Sequence, residues 1–261
     1  MIFGKDRLWK PRIGWTRLVP EAKTSACRAD RTIIIVTSPA AFLAPGRFID
    51  SDADTVREFA RDVAGEIYDQ REAAVALYRA VRERVIYDPY VDLASPASYR
   101  ASAVLGLGRG YCVGKASLLA AAARAIGLPA RVGYADVRNH MTSPRLYELI
   151  RTDIFRWHSY ADLCIQGHWV KATPAFNASL CERLGVSVLD FDGRGDSLFQ
   201  ELDRAGRRHM EYLLDRGTFA DVPFEEIVSD FRQHYPALMS KSGVAGDFQV
   251  EAIAAKAPAH H

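Results

Sequence analysis

The strongest candidate for chemistry in this chain is a single cysteine, Cys112. It lies in the run GRGYCVGKAS, from Gly108 to Ser117, where a turn-rich stretch gives way to a strongly helical one. The cysteine is therefore predicted to lie at or near the start of a helix. There the unpaired backbone N–H groups and the helix dipole favour a thiolate over a thiol. Cysteine hydrolases and acyltransferases use such a thiolate as their nucleophile, so the chain should also supply a histidine base and a group that orients it.

The other cysteines, Cys27, Cys164 and Cys181, are predicted to be small buried apolar residues. No two of the four cysteines form a CxxC pair. Their wide spacing matches neither a zinc-ligand pattern nor a small-domain disulfide framework. We therefore expect free thiols, no metal site and no other cofactor.

The composition is that of an ordinary globular protein. The chain has 261 residues, 49% hydrophobic and 25% charged, which is long enough to form a core without disulfides. Its formal net charge is +2 and its basic residues are scattered, which argues against nucleic acid and membrane surfaces as partners. The first ten residues carry charges and no apolar stretch typical of a secretory signal, so a cytoplasmic location is expected.

The elements that must position Cys112 show a helical pattern on both sides of it. Apolar residues recur at helical spacing over 56–67 and 74–85, which predicts two helices ahead of an ordered loop over 86–110. The helix that begins near Cys112 is predicted to run to Ile126, because a glycine and a proline follow within three residues. Its narrow stripe of small apolar residues indicates a helix that is buried deep and packed close to its neighbours.

Strands are predicted after this helix. The first covers 130–136, and residues 137–150 are predicted to pass over the surface. A strand over 156–165 and a strand over 168–172 are separated by Gln-Gly, which predicts a hairpin. Two further elements are predicted downstream, a strand over 209–216 and an amphipathic helix over 224–235.

The simplest domain organisation is one α+β domain over residues 51–240. Residues 1–50 are predicted to form an N-terminal strand or extension that packs on this domain, with the β-branched run 32–37 as its strand. Residues 241–261 are small and polar and are predicted to form a flexible tail.

Three features combine into a recognisable pattern: the cysteine at a helix start, a hairpin that carries a histidine, and a Trp-Val-x-x-x-Pro strand end. Together they resemble the transglutaminase-like superfamily, a branch of the papain-like cysteine enzymes. The resemblance covers residues 70–178 and rests on Gly110, Tyr111, Cys112, Lys115, Ala116, Leu119, the segment 125–131, His158, Trp169, Val170 and Pro174. It implies a papain/transglutaminase-like α+β fold with N-terminal helices, in which the nucleophile begins a central buried helix packed on an antiparallel β-sheet.

The resemblance also implies roles for individual residues. Cys112 is the implied nucleophile and His158 the implied base, which would form a thiolate–imidazolium pair. The backbone N–H of Cys112 is a natural oxyanion donor, and the Tyr111 side chain is a candidate for a second. His140, in an irregular segment, and His168, beside a turn, are alternatives to His158.

The third member of the site departs from the family pattern. Thr173 occupies the position at which the family usually has an aspartate. Its hydroxyl can accept a hydrogen bond from the imidazole, but it cannot supply a negative charge. Asn177, just beyond the proline, is a second candidate. Asp162 is a third, although an extended strand would place it about 13 Å from His158.

The predicted function is thiol-dependent acyl transfer on an amide or peptide substrate, as in a cysteine protease, an amidase or a transglutaminase. The alternative is a catalytically weak or inactive member of the same fold that serves as a binding or interaction module, and Thr173 is its main support. A cofactor-dependent arylamine acetyltransferase ranks lowest, because no glycine loop that could cradle phosphates is visible in the sequence.

Overall fold

The structure is a computed structural model that describes residues 38–199, 201–240 and 246–254. Its α-helices are α1 (Asp54–Ala64), α2 (Gln70–Arg84), α3 (Ala101–Leu107), α4 (Cys112–Ala125), α5 (Pro144–Ile150), α6 (Ala178–Leu184), α7 (Phe224–His234), α8 (Pro236–Met239) and α9 (Phe248–Ala254). Its strands are β1 (Ile86–Tyr87), β2 (Arg109–Gly110), β3 (Ala130–Asn139), β4 (Ile154–Ile165), β5 (His168–Ala172) and β6 (Met210–Phe219). Short 3-10 helices cover Pro39–Phe42 and Pro96–Ser98. The predicted α+β class is confirmed.

In the second half of the described chain, four strands form an antiparallel sheet in the order β5-β4-β3-β6. The hairpin between β4 and β5 turns through Gln166 and Gly167, which have φ of 50° and 83°. Two successive positive φ values match the twist of the flanking strands, so the predicted Gln-Gly hairpin is confirmed. A separate parallel pair, β1 with β2, lies directly before Cys112 and fixes the entry of the chain into α4.

Helix α4 is buried along its whole length and packs against α1, α2, α3, β3 and β4. Its polar side chains are satisfied by backbone carbonyls, as burial requires. The Lys115 ammonium donates to the carbonyls of Arg82 and Val85 at the end of α2, and Ser117 Oγ donates to the Phe48 carbonyl at 3.1 Å. These bonds hold α4 against the end of α2 and against the segment that precedes α1.

Several predicted elements are confirmed. Helices α1, α2 and α7 lie where the apolar spacing placed them, and α4 begins at Cys112 and ends at Ala125. Its C-terminal stop is Gly127, whose φ is 80°. The predicted strand over 32–37 lies outside the described residues.

Other segments differ from the prediction. The ordered loop over 86–110 contains helix α3, which is short and has an exposed glycine, Gly106, near its end. The surface excursion over 137–150 contains α5, whose N-cap Ser143 accepts the N–H of Leu146 at 3.2 Å. Within the predicted flexible tail, α9 packs Phe248 against Tyr87 and Tyr90. The contacts that hold α9 come from residues distant in sequence. No helix in the described part of the chain is long and apolar enough to cross a membrane.

Candidate active site

Cys112 is the first residue of α4, as predicted, and its thiol faces a ring of backbone donors. Tyr111 precedes it in an extended conformation as the N-cap. The backbone N–H groups of Ser159, Val113 and Cys112 itself lie close enough to the sulfur to lower its pKa. Ser159 directly follows His158 on β4, so the strand that carries the histidine passes next to the thiol. Residue Cys112 is only 9% exposed.

Cys112 and His158 line the same cavity. Its volume is about 70 Å³, room for a few water molecules. Most of the side chains around it are aromatic or aliphatic, among them Tyr87, Phe155, Phe176, Phe199, Phe231 and Tyr235. The candidate site is therefore a nearly closed, predominantly apolar cleft with a thiol and an imidazole in its wall.

Burial decides the charge state of the two groups. It raises the pKa of Cys112 to about 11, although the backbone donors oppose it in part. Burial likewise lowers the pKa of His158 to about 4, with a further contribution from nearby His209. Both shifts favour the neutral thiol and the neutral imidazole. Desolvation thus opposes the thiolate–imidazolium pair that was expected, and the helix start offsets it only in part; the pair itself stays a prediction.

The imidazole of His158 is held by ring contacts rather than by a third polar residue. Its ring centroid lies 5.2 Å from that of Phe199 and 6.3 Å from that of Tyr212. Its Nε2 is buried and has no hydrogen-bond partner among the described residues. Neither Cys112 nor Thr173 is within hydrogen-bonding geometry of His158 in the described part of the chain.

Thr173 follows the last residue of β5, and it is 1% exposed. Its backbone N–H donates to the Ser197 carbonyl at 3.1 Å and its carbonyl accepts the Tyr78 hydroxyl at 3.2 Å. Its own hydroxyl is buried without a partner among the described residues. The hydroxyl is thus uncommitted, and its role as the orienting group stays a prediction.

The other two candidates for the third member have partners elsewhere. Asp162 accepts from Arg131 Nε at 2.8 Å. Asn177 is the N-cap residue of α6, where its Nδ2 donates to Ser179 Oγ at 2.7 Å. These bonds explain why both residues are buried without assigning either to the imidazole.

The remaining candidate residues differ in whether they line the cleft. The Tyr111 hydroxyl is buried without a partner in the described structure, and the residue lines the cleft. His140 and His168 are both exposed, and His140 Nε2 lies 3.4 Å from a Glu211 carboxylate oxygen. Cys164 and Cys181 are buried free thiols, as predicted, and Cys27 lies outside the described residues. No group of three or more His, Cys, Asp or Glu side chains within the described ranges could hold a metal ion.

Two residues near the imidazole were not predicted from the sequence to belong to the site. His209 precedes β6 and Phe199 lies in the connection that leads to it, some 40 to 50 positions after His158. Both lie in a stretch whose sequence pattern is weak. Only the three-dimensional arrangement brings them to the site.

Comparisons with known proteins point to one family. Residues 57–174 match the Transglutaminase-like superfamily. Two solved structures are similar. One is a proposed cysteine protease from Cytophaga hutchinsonii, 19% identical over 69% of this chain and 46% of that one, with a TM-score of 0.43. The other is a proposed protease from Parabacteroides distasonis, 15% identical over 52% of this chain and 25% of that one, with a TM-score of 0.35. The chain thus spans less than half the length of either. No curated protein matches the chain.

Proposed function

Because residues 57–174 of this chain form a transglutaminase-like core, we propose that the protein is a thiol-dependent enzyme that acts on amide bonds, with Cys112 as nucleophile and His158 as base. One observation carries the proposal. The thiol at the start of α4 and the imidazole of β4 line a single cleft, and the backbone N–H that follows the histidine faces the sulfur. An unrelated buried cysteine would have no reason to share a cavity with a histidine.

The neutral forms that burial favours support general-base catalysis. During attack the thiol proton passes to the His158 imidazole while the sulfur bonds to the amide carbonyl carbon. The imidazolium then gives that proton to the leaving amine as the C–N bond breaks, which leaves an acyl group on Cys112. Water or a second amine releases the acyl group, giving hydrolysis or transamidation respectively.

Two groups are available to stabilise the oxyanion. The backbone N–H of Cys112 lies at a helix start, where it has no intrahelical acceptor. The Tyr111 hydroxyl, which lacks a partner in the described structure, offers a second donor at the cleft wall. Such donors act most strongly in apolar surroundings, and the lining of this cleft is predominantly apolar.

The lining of the cleft favours a peptide or protein substrate with an apolar side chain next to the attacked carbonyl. The charged side chain in the lining, Arg156, is directed to Asp136 and Asp230 at 3.7 Å. A charged substrate side chain would therefore lose its hydration without gaining a partner.

Two observations favour a second candidate, an inactive binding module. Thr173 supplies no negative charge, and no polar side chain of the described structure orients His158 Nε2. An imidazolium formed in this cleft would lack the carboxylate that usually stabilises it. The two candidates make opposite predictions for the reactivity of Cys112.

Alkylation by iodoacetamide, followed residue by residue with mass spectrometry, separates them. Cys181 is a matched internal control, since burial raises its pKa to about 11 as well. If the protein is an enzyme, folded Cys112 should react with iodoacetamide faster than Cys181, and His158→Asn should remove the difference. Equal rates for the two thiols would contradict the proposed function and favour the binding module. If Cys112 does react faster, loss of amide-cleaving activity in Cys112→Ser would identify it as the nucleophile.

A further inference from the structure

The residue directly before His158 has an unusual backbone conformation. Trp157 has φ of 58°, in the left-handed region that bulky side chains rarely adopt. Such a conformation persists only where the surrounding structure determines it, and it is often found next to functional groups. Because the backbone at Trp157 sets the direction of the next side chain, whatever holds this residue also aims His158.

The conformation belongs to a bulge that centres on Asp136 of β3. Ala135 pairs with His158 and Val137 with Phe155, so the two residues 156–157 of β4 lie opposite the single Asp136. Strand β6 is irregular on the other side, where Arg216 is an extra residue between the partners of Tyr134 and Ala135. Both neighbours of β3 are therefore irregular within one or two residues of Asp136.

The Asp136 carboxylate accepts the backbone N–H that the bulge removes from the ladder and also binds a guanidinium. Its Oδ1 accepts the backbone N–H of Trp157 at 3.1 Å and Arg216 Nε at 2.6 Å, and its Oδ2 accepts Arg216 Nη2 at 2.8 Å. The residue is 6% exposed. A buried N–H that the bulge removes from the ladder needs such an acceptor.

The Trp157 side chain is held by the same group of charges. Its Nε1 donates to Asp230 Oδ2 of α7 at 3.0 Å, and the Arg216 guanidinium lies 4.4 Å from its ring centroid. Arg216 also reaches Asp230 at 3.5 Å. We call Asp136, Arg216 and Asp230 the bulge clamp.

We propose that Asp136, through the bulge clamp, is the positioning residue that directs His158 into the cleft. The ring itself has no polar partner on Nε2 in the described structure, so its direction depends on the backbone that presents it and on the ring contacts with Phe199 and Tyr212. The inference rests on the proposed function for its consequence in catalysis, but the position of the ring can be measured independently.

Asp136→Asn tests the proposal. It keeps the size of the side chain and one carbonyl oxygen, but it removes the charge that holds Arg216. Asp221→Asn is the matched control, because the Asp221 carboxylate also accepts backbone N–H groups, from Phe48 at 3.2 Å and Ile49 at 2.9 Å, and does not contact β4. Two readouts apply to both variants: the alkylation rate of Cys112, and the NMR signal of the His158 ring, which the ring current of Phe199 shifts.

Asp136→Asn should slow alkylation of Cys112 by on the order of 100-fold, since a misplaced catalytic group has effects of that size. It should also move the His158 signal. Asp221→Asn should leave the rate and the signal of the folded protein unchanged. An unchanged rate and signal in folded Asp136→Asn would overturn the inference, as would equal changes in the control.

A second variant covers the case in which Asp136→Asn does not fold. Arg216→Lys keeps the positive charge but not the paired N–H donors, so it should shift the His158 signal in the same direction by a smaller amount. An unmoved signal there would contradict the proposal. If His158→Asn does not slow alkylation, the proposed function fails, and the ring signal alone then decides whether Asp136 positions the histidine.

Discussion

Cys112 and His158, the proposed nucleophile and the proposed base, are held in contrasting ways. Cys112 is placed mainly by local means: strand β2, an extended N-cap and the start of a buried helix, all within a few residues of it. His158 is placed by a strained backbone and by charges from three separate elements. The difference shows that one half of an active site can be determined by neighbouring residues while the other half depends on the completed tertiary structure.

The largest expected effect concerns the burial of the imidazole. The pKa of His158 is about 4 in the folded state against an ordinary 6.5, so the unfolded chain binds more protons between these values. The free energy of unfolding should therefore fall as the pH falls from 6.5 to 4, by about 3 kcal/mol in total. Urea denaturation across this range should show that His158→Asn removes this part of the slope.

His168→Asn serves as the control, because its ring is exposed at the hairpin turn. It should retain the wild-type dependence on pH. If His158→Asn and the wild type gave parallel curves between pH 6.5 and 4, the imidazole would not be buried in a neutral form.

A second, smaller effect probes the local placement of the cysteine. A Cβ at Gly114 would lie 2.5 Å from the Ser98 carbonyl oxygen, so Gly114→Ala forces the first turn of α4 away from its support. We expect a loss of about 2 kcal/mol in thermal unfolding, typical of overpacking. Gly106→Ala is the matched variant, because no atom lies within 4 Å of its Cβ and it sits in a helix. It should be stabilising by about 0.5 kcal/mol, and the opposite order would contradict the tight packing around α4.

The smallest expected effect tests whether a charged side chain at position 173 acts on the His158 imidazole. Thr173→Asp adds a carboxylate where Thr173 Oγ1 has no partner in the described structure, which should raise the pKa of His158 from about 4 towards its ordinary value. A more basic imidazole accepts the Cys112 proton more readily during attack, so alkylation of Cys112 at pH 7 should accelerate about 10-fold. Thr173→Asn, which adds no charge, should not change the rate. Equal rates in the two variants would show that this position does not communicate with the imidazole.

The same contrast explains what could be predicted from the sequence. Helix α4 and the β4–β5 hairpin were predictable because their signals, Gly127 and the Gln166–Gly167 turn, are adjacent to the elements they end or join. The bulge was not, because Asp136 and Arg216 are far apart in the chain and only the sheet register brings them together. The directions of the two pKa shifts could not be predicted for a similar reason, since the burial of Cys112 depends on elements packed around it from the whole domain.

The bulge clamp also has a consequence for the timing of assembly. Cys112, β3 and β4 are synthesised before Arg216 and Asp230, and a domain folds as a unit once its chain is available. Until β6 and α7 dock, Trp157 has no partner for its indole N–H and no reason to hold its left-handed conformation. A nascent chain would carry Cys112 but not yet the correctly directed imidazole, so the proposed site would stay silent until the polypeptide around it is complete.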